Sequence, residues 1–359
     1  MKNTRFFSSA LLLWDDKVNT RQMPWKGEKN PYKIWISEII LQQTRVQQGL
    51  SYYNRFIEAF PDVKKLAKAP EKKVYKLWEG LGYYTRCKNL IATAKFIYND
   101  LEGKFPDRYD DILNLKGVGT YTASAIASFA FNLPYAVLDG NVFRVLSRFF
   151  GEEIPVNTTP GKKFYAELAF KLLNKDKPAQ YNQAIMDFGA VICKPQQPQC
   201  FKCPLGERCI AFQKNQVSDL PVNKKVIHQR KRFFNYLIIK DSNKFYVQKR
   251  TEKDIWQNLY EFILIETNSL LDERSLLHEK QFLSITGGHD FKIKKMSDKI
   301  SQRLTHQLIT GRFFHIEVKK AVEIKRSYYP VTKQQLSSLP FPKFIASYLA
   351  DKNVSLNLI

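Results

Sequence analysis

Apolar and polar residues alternate along this chain in two different rhythms. From Phe6 to about Ala211 the apolar positions recur at helical spacing, in segments separated by Gly, Pro and Asn. That spacing predicts helices over residues 34–46, 74–81, 90–98, 122–131, 142–149 and 161–173. Beyond Gln213 the rhythm shortens. Residues 217–232 are polar, contain Pro221 and end in the basic run Arg230-Lys231-Arg232, so 216–231 reads as a linker. After it come short β-rich runs at 233–240, 244–249, 260–266 and 312–318, then an amphipathic stretch at 342–351. The expected architecture is a mainly α domain over 1–215 followed by a smaller α+β domain over 232–359.

At 359 residues and 44% hydrophobic, the chain has enough apolar mass for both domains to bury a core. The charge narrows the class of partner. Fifty-seven Lys and Arg against 34 Asp and Glu leave +23, and 1–215 and 216–359 contribute +12 and +11, so both parts suit a polyanion such as nucleic acid. No run approaches the roughly 18 apolar residues of a membrane helix. The apolar stretch at 6–14 follows Lys2 and Arg5 like the core of a signal peptide. Asp15-Asp16 and the lack of a small-residue cleavage site argue instead for a cytoplasmic protein.

Four of the five cysteines fall within seventeen residues, as Cys193-x6-Cys200-x2-Cys203-x5-Cys209. Four thiolates this close wrap a single metal centre, and spacing alone leaves zinc and a [4Fe–4S] cluster both open. Pro195, Pro198 and Pro204 stiffen the intervening loops, and the closed ligand set suits a structural staple more than redox chemistry. The fifth, Cys87, reads as a packed small hydrophobe.

Three further constellations carry chemistry. In Leu115-Lys116-Gly117-Val118-Gly119-Thr120-Tyr121, two glycines between helical segments let the backbone turn and present N–H groups to a phosphate. Read blandly, it is a helix–helix turn. Asp139, eighteen residues past Tyr121 and followed by Gly140-Asn141, is a lone carboxylate in apolar surroundings, and an N-cap would explain it equally well. Glu38 lies inside the largely apolar run from Ile34 to Leu41, where burial should raise its pKa and keep it protonated near neutrality, as a general acid requires. A buried carboxyl tied into a core hydrogen-bond network is the plainer alternative. Gln42, Gln43 and Thr44, one turn on, are placed to read base edges or fill the gap left by an extruded base.

Taken together these residues resemble the helix-hairpin-helix DNA glycosylases, and within them the MutY-type adenine glycosylases. The resemblance covers nearly the whole chain. It rests on SEIILQQT (Ser37 to Thr44), GLGYYTR (Gly80 to Arg86), LKGVGTYTASAIA, VLDGNVFRVLSR, NQAIMDFGAVIC and the cysteine spacing, in family order. It implies a [4Fe–4S] cluster on Cys193, Cys200, Cys203 and Cys209, and a substrate of adenine mispaired with 8-oxoguanine or guanine in double-stranded DNA, bound by a monomer. It implies Glu38 as the acid that protonates the adenine ring and then helps activate water, and Asp139 as the carboxylate that stabilises the oxocarbenium ion at C1′. Tyr121 and Asn141 resemble the residues that orient Asp139, Gln43 and Tyr83 the wedges that fill the stack, and Gln183 the contact to the adenine edge.

Tyr121 separates relatives, because the strand-nicking endonuclease III type has a Lys there that attacks C1′ as an amine. A phenol does not, so the resemblance implies a monofunctional enzyme. The second domain resembles the family's Nudix-like 8-oxoguanine recognition module. Residues 266–288 lack the REUXEEXGU box that holds magnesium in Nudix hydrolases, so binding without hydrolysis is expected. Two positions depart from the pattern. Leu304-Thr305-His306 stands where the family has Phe-Ser-His, losing the aromatic face, and Lys26 in Met23-Pro24-Trp25-Lys26 replaces the usual Arg. Two rival readings weigh less. A different base-excision enzyme of this fold is opposed by Tyr121 and the second domain, and a non-catalytic DNA-binding scaffold by the intact Glu38 and Asp139.

Overall fold

The computed structural model describes residues 2–224, 229–287, 291–318, 327–351 and 354. They form two compact units, Met1–Lys68 with Lys88–Lys225, and Ala69–Cys87 with Val226–Ile359. Among the described residues no helix is long and apolar enough to cross a membrane.

In chain order the helices are α1 (Lys2–Lys17), α2 (Pro31–Leu41), α3 (Val46–Ala59), α4 (Val63–Lys68), α5 (Glu71–Trp78), α6 (Thr85–Asp100), α7 (Tyr109–Leu113), α8 (Thr120–Phe131), α9 (Gly140–Phe150), α10 (Thr159–Leu172), α11 (Pro178–Val191) and α12 (Ile210–Gln213). All but α5 and the first turn of α6 belong to the first unit. Their starts follow from local chemistry. The Asn30 side chain accepts from the Tyr32 and Lys33 amides with Pro31 in the first turn of α2, and Thr158 caps α10 in the same way. Gly151, left-handed at φ 69°, ends α9. The signal-like stretch at 6–14 is the buried face of α1. Phe7 and Leu11 are fully buried with Trp14 against Val142, Leu146, Phe149 and Phe188 of α9 and α11.

The helix expected over 34–46 stops at Leu41. Gln42 leaves helical geometry at ψ 117° and Gln43 takes φ 55°, so Gln42, Gln43 and Thr44 occupy a break before α3 and not a further helical turn. The linker is also shorter than expected. Leu220 is buried, Arg148 Nε donates to its carbonyl at 3.0 Å, and the Val156 amide donates to Val222 O at 3.0 Å, which fastens residues up to 224 to the first unit. On the far side the first strand already begins at Arg230.

The second unit is built on a seven-stranded sheet of β1 (Arg230–Asp241), β2 (Lys244–Lys249), β3 (Tyr260–Thr267), β4 (Phe291–Met296), β5 (Ile300–Arg303), β6 (Gln307–Val318) and β7 (Tyr329–Thr332). The order is β4-β6-β1-β3-β2-β7, with β5 on β6; β1 and β6 run parallel and the other pairs are antiparallel. Short helices α13 (Glu273–Leu277), α14 (Lys280–Thr286), α15 (Lys333–Ser337) and α16 (Lys343–Leu349) complete it. One core stack joins Tyr236, Phe313, Phe344 and Trp256, with successive ring centroids 5.3, 5.8 and 6.1 Å apart. Helix α5, expected in the helical domain, packs in this unit. Asn258 Nδ2 donates to the Tyr75 hydroxyl at 3.0 Å, Lys76 Nζ to Leu339 O at 3.0 Å, and the Phe341 amide to Glu79 Oε1 at 2.8 Å. Arg232, the last residue of the basic run, is buried in ion pairs with Asp254 at 2.9 Å and Glu266 at 2.6 Å.

Candidate active site

In the first unit a cavity of about 410 Å³ opens between the C-terminal end of α2, the N-terminal ends of α8 and α9, and α11. Glu38, Gln42, Gln43, Thr44, Tyr121, Asp139, Asn141 and Gln183 all line it, together with Arg21, Trp25, Met186 and Asp187. The chain brings Glu38 there because α2 buries nearly its whole length, leaving one carboxyl among Ile34, Trp35, Ile39 and Ile40. Burial pushes the Glu38 pKa up to about 7; a hydrogen bond from the Tyr121 phenol opposes the shift and the nearby Asp139 adds to it.

Asp139 is the N-cap of α9, extended at φ −101° and ψ −178°. It therefore does what the plainer sequence reading supposed, its Oδ1 accepting from the Val142 amide at 2.8 Å, while Oδ2 accepts from Asn141 Nδ2 at 2.7 Å. Burial raises its pKa, and these two donors pull in the opposite direction. Asn141 is itself held. Arg144 Nη2 donates to Asn141 Oδ1 at 2.9 Å and to Gly189 O at 2.6 Å, and its Nε donates to Cys193 O at 2.7 Å. Gln42 Nε2 donates to Thr122 Oγ1 at 3.2 Å, and Gln43 is exposed at the mouth.

Lys26, expected as a contact to DNA or base, does not line the cavity. Its ammonium donates to Asp187 Oδ2 at 3.1 Å and to Arg21 O at 3.2 Å, and the basic residue lining the cavity is Arg21. Arg21 and Asp187 are the charged lining residues that sequence reading missed. The signal for Asp187 was present, since it is a lone carboxylate in an apolar helix one turn from Gln183, the feature that had singled out Glu38.

The glycine hairpin lies between α7 and α8, outside the cavity, with both glycines exposed. Gly117 requires its residue type, having φ +83° and a position where a Cβ would meet Asn89 Cβ at 2.7 Å. Gly119 does not, being extended with open space at its Cβ position.

The four clustered cysteines follow α11 on a chain of tight turns, with the Cys203 amide on Cys200 O, Gly206 on Cys203 O and Cys209 on Gly206 O at 3.2, 2.9 and 3.1 Å. Burial, with smaller contributions from Cys193, Cys209 and Cys200, pushes the Cys203 thiol up to about 12, so the four share one electrostatic neighbourhood. Among the described residues no group of three or more His, Cys, Asp or Glu is gathered around a single ion position. The donor set still fits a four-thiolate centre. The Leu205 amide points at Cys203, the Ala211 and Phe212 amides at Cys209, and Arg148 Nη1 lies 3.5 Å from Cys193 Sγ, all favouring thiolate charge. Cys87 is fully buried and its thiol is held well above the usual range by that burial.

Two expected site elements lie in the second unit. Leu304, Thr305 and His306 form the turn of the β5–β6 hairpin, closed by the Leu304 amide on Gln307 O at 2.7 Å, with Thr305 and His306 exposed. Tyr83, left-handed at φ 48° and half exposed, brings its hydroxyl to 3.2 Å from Thr305 Oγ1.

Residues 36–163 match the HhH-GPD superfamily of base excision DNA repair proteins, and residues 235–351 match the NUDIX domain. The chain is 33% identical over 351 residues to an adenine DNA glycosylase of Buchnera aphidicola subsp. Baizongia pistaciae (strain Bp), covering 94% of this chain and 95% of that protein. It is 38% identical over 267 residues to an adenine DNA glycosylase of Buchnera aphidicola subsp. Schizaphis graminum (strain Sg), covering 73% and 75%. A solved thermostable thymine-DNA glycosylase is 32% identical with a TM-score of 0.55, over 59% of this chain and 98% of that one.

Proposed function

This chain belongs to the adenine DNA glycosylase family, and we propose that it removes adenine mispaired with 8-oxoguanine or guanine from double-stranded DNA in base excision repair, leaving an abasic site. The observation that carries the reading is the pair of carboxyls in one cavity. Glu38, its pKa raised to about 7, keeps a proton, and Asp139, gripped by the Asn141 amide and the Val142 N–H, is furnished to carry charge.

The mispaired adenine leaves the stack and enters the cavity, Gln43 and Tyr83 filling the space it vacates. The Glu38 carboxyl gives its proton to a ring nitrogen, the C1′–N9 bond breaks with its electron pair going to the base, and adenine departs neutral. Asp139 stabilises the oxocarbenium ion left at C1′. Water then adds to C1′ and returns a proton to Glu38. Tyr121 holds the Glu38 carboxyl, Asn141 and Arg144 hold Asp139, and because Tyr121 offers no amine, strand scission is not part of the reaction.

The remaining parts support recognition. The Gly117–Gly119 hairpin presents backbone N–H groups to a phosphate. Gln42, Thr44 and Gln183 line the base pocket, with Arg21 at its edge in place of Lys26. Leu304, Thr305 and His306 meet the 8-oxoguanine through the Thr305 hydroxyl and the His306 imidazole. Cys193, Cys200, Cys203 and Cys209 would hold a [4Fe–4S] cluster that staples the loop whose Cys193 carbonyl anchors Arg144. A monomer acting on the chromosome in the cytoplasm completes the reading. The test is base release from duplexes with adenine opposite 8-oxoguanine, guanine or thymine. Release from the first two and not the third is expected, and release from all three at one rate would overturn the proposed mispair specificity.

A further inference from the structure

Helix α11 sets a third carboxyl group against the same cavity, and the mechanism above does not use it. Asp187 is fully buried and accepts four hydrogen bonds: from Arg21 Nη1 at 2.7 Å and Gln183 Nε2 at 3.0 Å on Oδ1, and from Asn19 Nδ2 at 3.0 Å and Lys26 Nζ at 3.1 Å on Oδ2. A carboxylate only accepts, so Gln183 must turn its NH2 group toward Asp187. The four-residue spacing on α11 places the two side chains one above the other, which keeps that orientation in register.

The consequence is a fixed polarity at the cavity wall. With its nitrogen committed to Asp187, the Gln183 amide offers its carbonyl oxygen and one remaining N–H to the cavity that Gln183 lines. An acceptor beside a donor complements the 6-amino group and N7 of adenine, and it sets oxygen against oxygen for a 6-oxopurine. Were Asp187 able to donate, the amide could flip and the discrimination would vanish.

We propose that Asp187 is a positioning residue that sets the preference for a 6-aminopurine by fixing the orientation of the Gln183 amide. The proposal rests on the adenine glycosylase reading of this cavity and adds the element that makes the wall selective.

The test compares single-turnover release of adenine and of purine lacking the 6-amino group, each opposite 8-oxoguanine, by the full-length protein. Asp187→Asn lets the side chain donate to Gln183, and the adenine-to-purine rate ratio should fall roughly tenfold or more, the worth of a well-aligned pair of hydrogen bonds to a base edge. Gln183→Met removes the acceptor without touching the buried carboxylate, and should collapse the ratio alone. In that background Asp187→Asn should change the ratio no further. Equal slowing of both bases by Asp187→Asn marks a merely structural role and overturns the proposal, and so does a wild-type ratio in Gln183→Met. Failure of the wild-type protein to release adenine at all would overturn the glycosylase reading itself, and this inference with it.

Discussion

Replacing Glu38 by Gln should abolish base release while raising the stability of the unit that carries it. The side chain is buried against apolar neighbours, and its pKa stands at about 7 against an ordinary 4.5. At 1.36 kcal/mol for each pH unit, ionising it in the folded protein costs about 3 kcal/mol. The sign follows from which state ionises first. Below 4.5 both folded and unfolded chains keep the proton; between 4.5 and 7 only the unfolded chain releases it, so stability falls with rising pH; above 7 the folded protein bears the whole cost. Gln cannot ionise and bears none of it. Thermal unfolding of Glu38→Gln at pH 8 should show a midpoint for this unit roughly 6 to 12 °C above wild type. At pH 5 the advantage should shrink below about 1 kcal/mol. The same titration governs rate, so wild-type base release should decline as pH rises above 7. A lower midpoint for the variant at pH 8, or an equal gain at both pH values, would refute the claim that Glu38 is protonated by burial.

Further consequences follow from other parts of the structure. Asp139→Asn keeps the cap on α9 but sets its Nδ2 against the Asn141 Nδ2, so it should cost about 1–3 kcal/mol in unfolding while base release is lost; retained base release would mean that the carboxylate does not serve the chemistry. Gly117→Ala forces a Cβ into Asn89 at positive φ and should cost about 1–3 kcal/mol in denaturant unfolding. Gly119→Ala, in open extended backbone, should lie within about 0.5 kcal/mol of wild type. Duplex affinity should fall with salt by about 0.9 in log K per log salt for each phosphate neutralised, and a flat response would contradict reading the +23 charge as a nucleic-acid surface.

The helical half was legible because its apolar residues repeat at the helical period, and β2 was read to the residue over Lys244–Lys249. What periodicity misses is where a regular pattern is broken by backbone choice. The apolar spacing continues from Leu41 to Val46, yet Gln43 turns left-handed and opens the mouth of the cavity between them. It also misses partnership. Helix α5 has an ordinary amphipathic pattern, and only tertiary hydrogen bonds through Tyr75 and Glu79 join it to the sheet unit. Strand β4 escaped notice because Lys292, Lys294 and Lys295 mask the alternation of Phe291 and Ile293, and β5 because its four residues hold a single apolar one, Ile300. In the cavity, Glu38 and Asp139 were readable as lone carboxylates in apolar surroundings. Arg21 was not, since the segment before α2 has no period from which to infer that it, and not Lys26, lines the wall.

The most direct measurement is a single-turnover assay on a duplex with adenine opposite 8-oxoguanine, using wild type and Glu38→Gln, each worked up with and without hot alkali. The account predicts strand cleavage by wild type only after alkali, and none by Glu38→Gln under either condition although it still binds the duplex. Cleavage without alkali would contradict the role given to Tyr121. Full activity in Glu38→Gln would contradict the central claim that this buried carboxyl is the acid that releases the base.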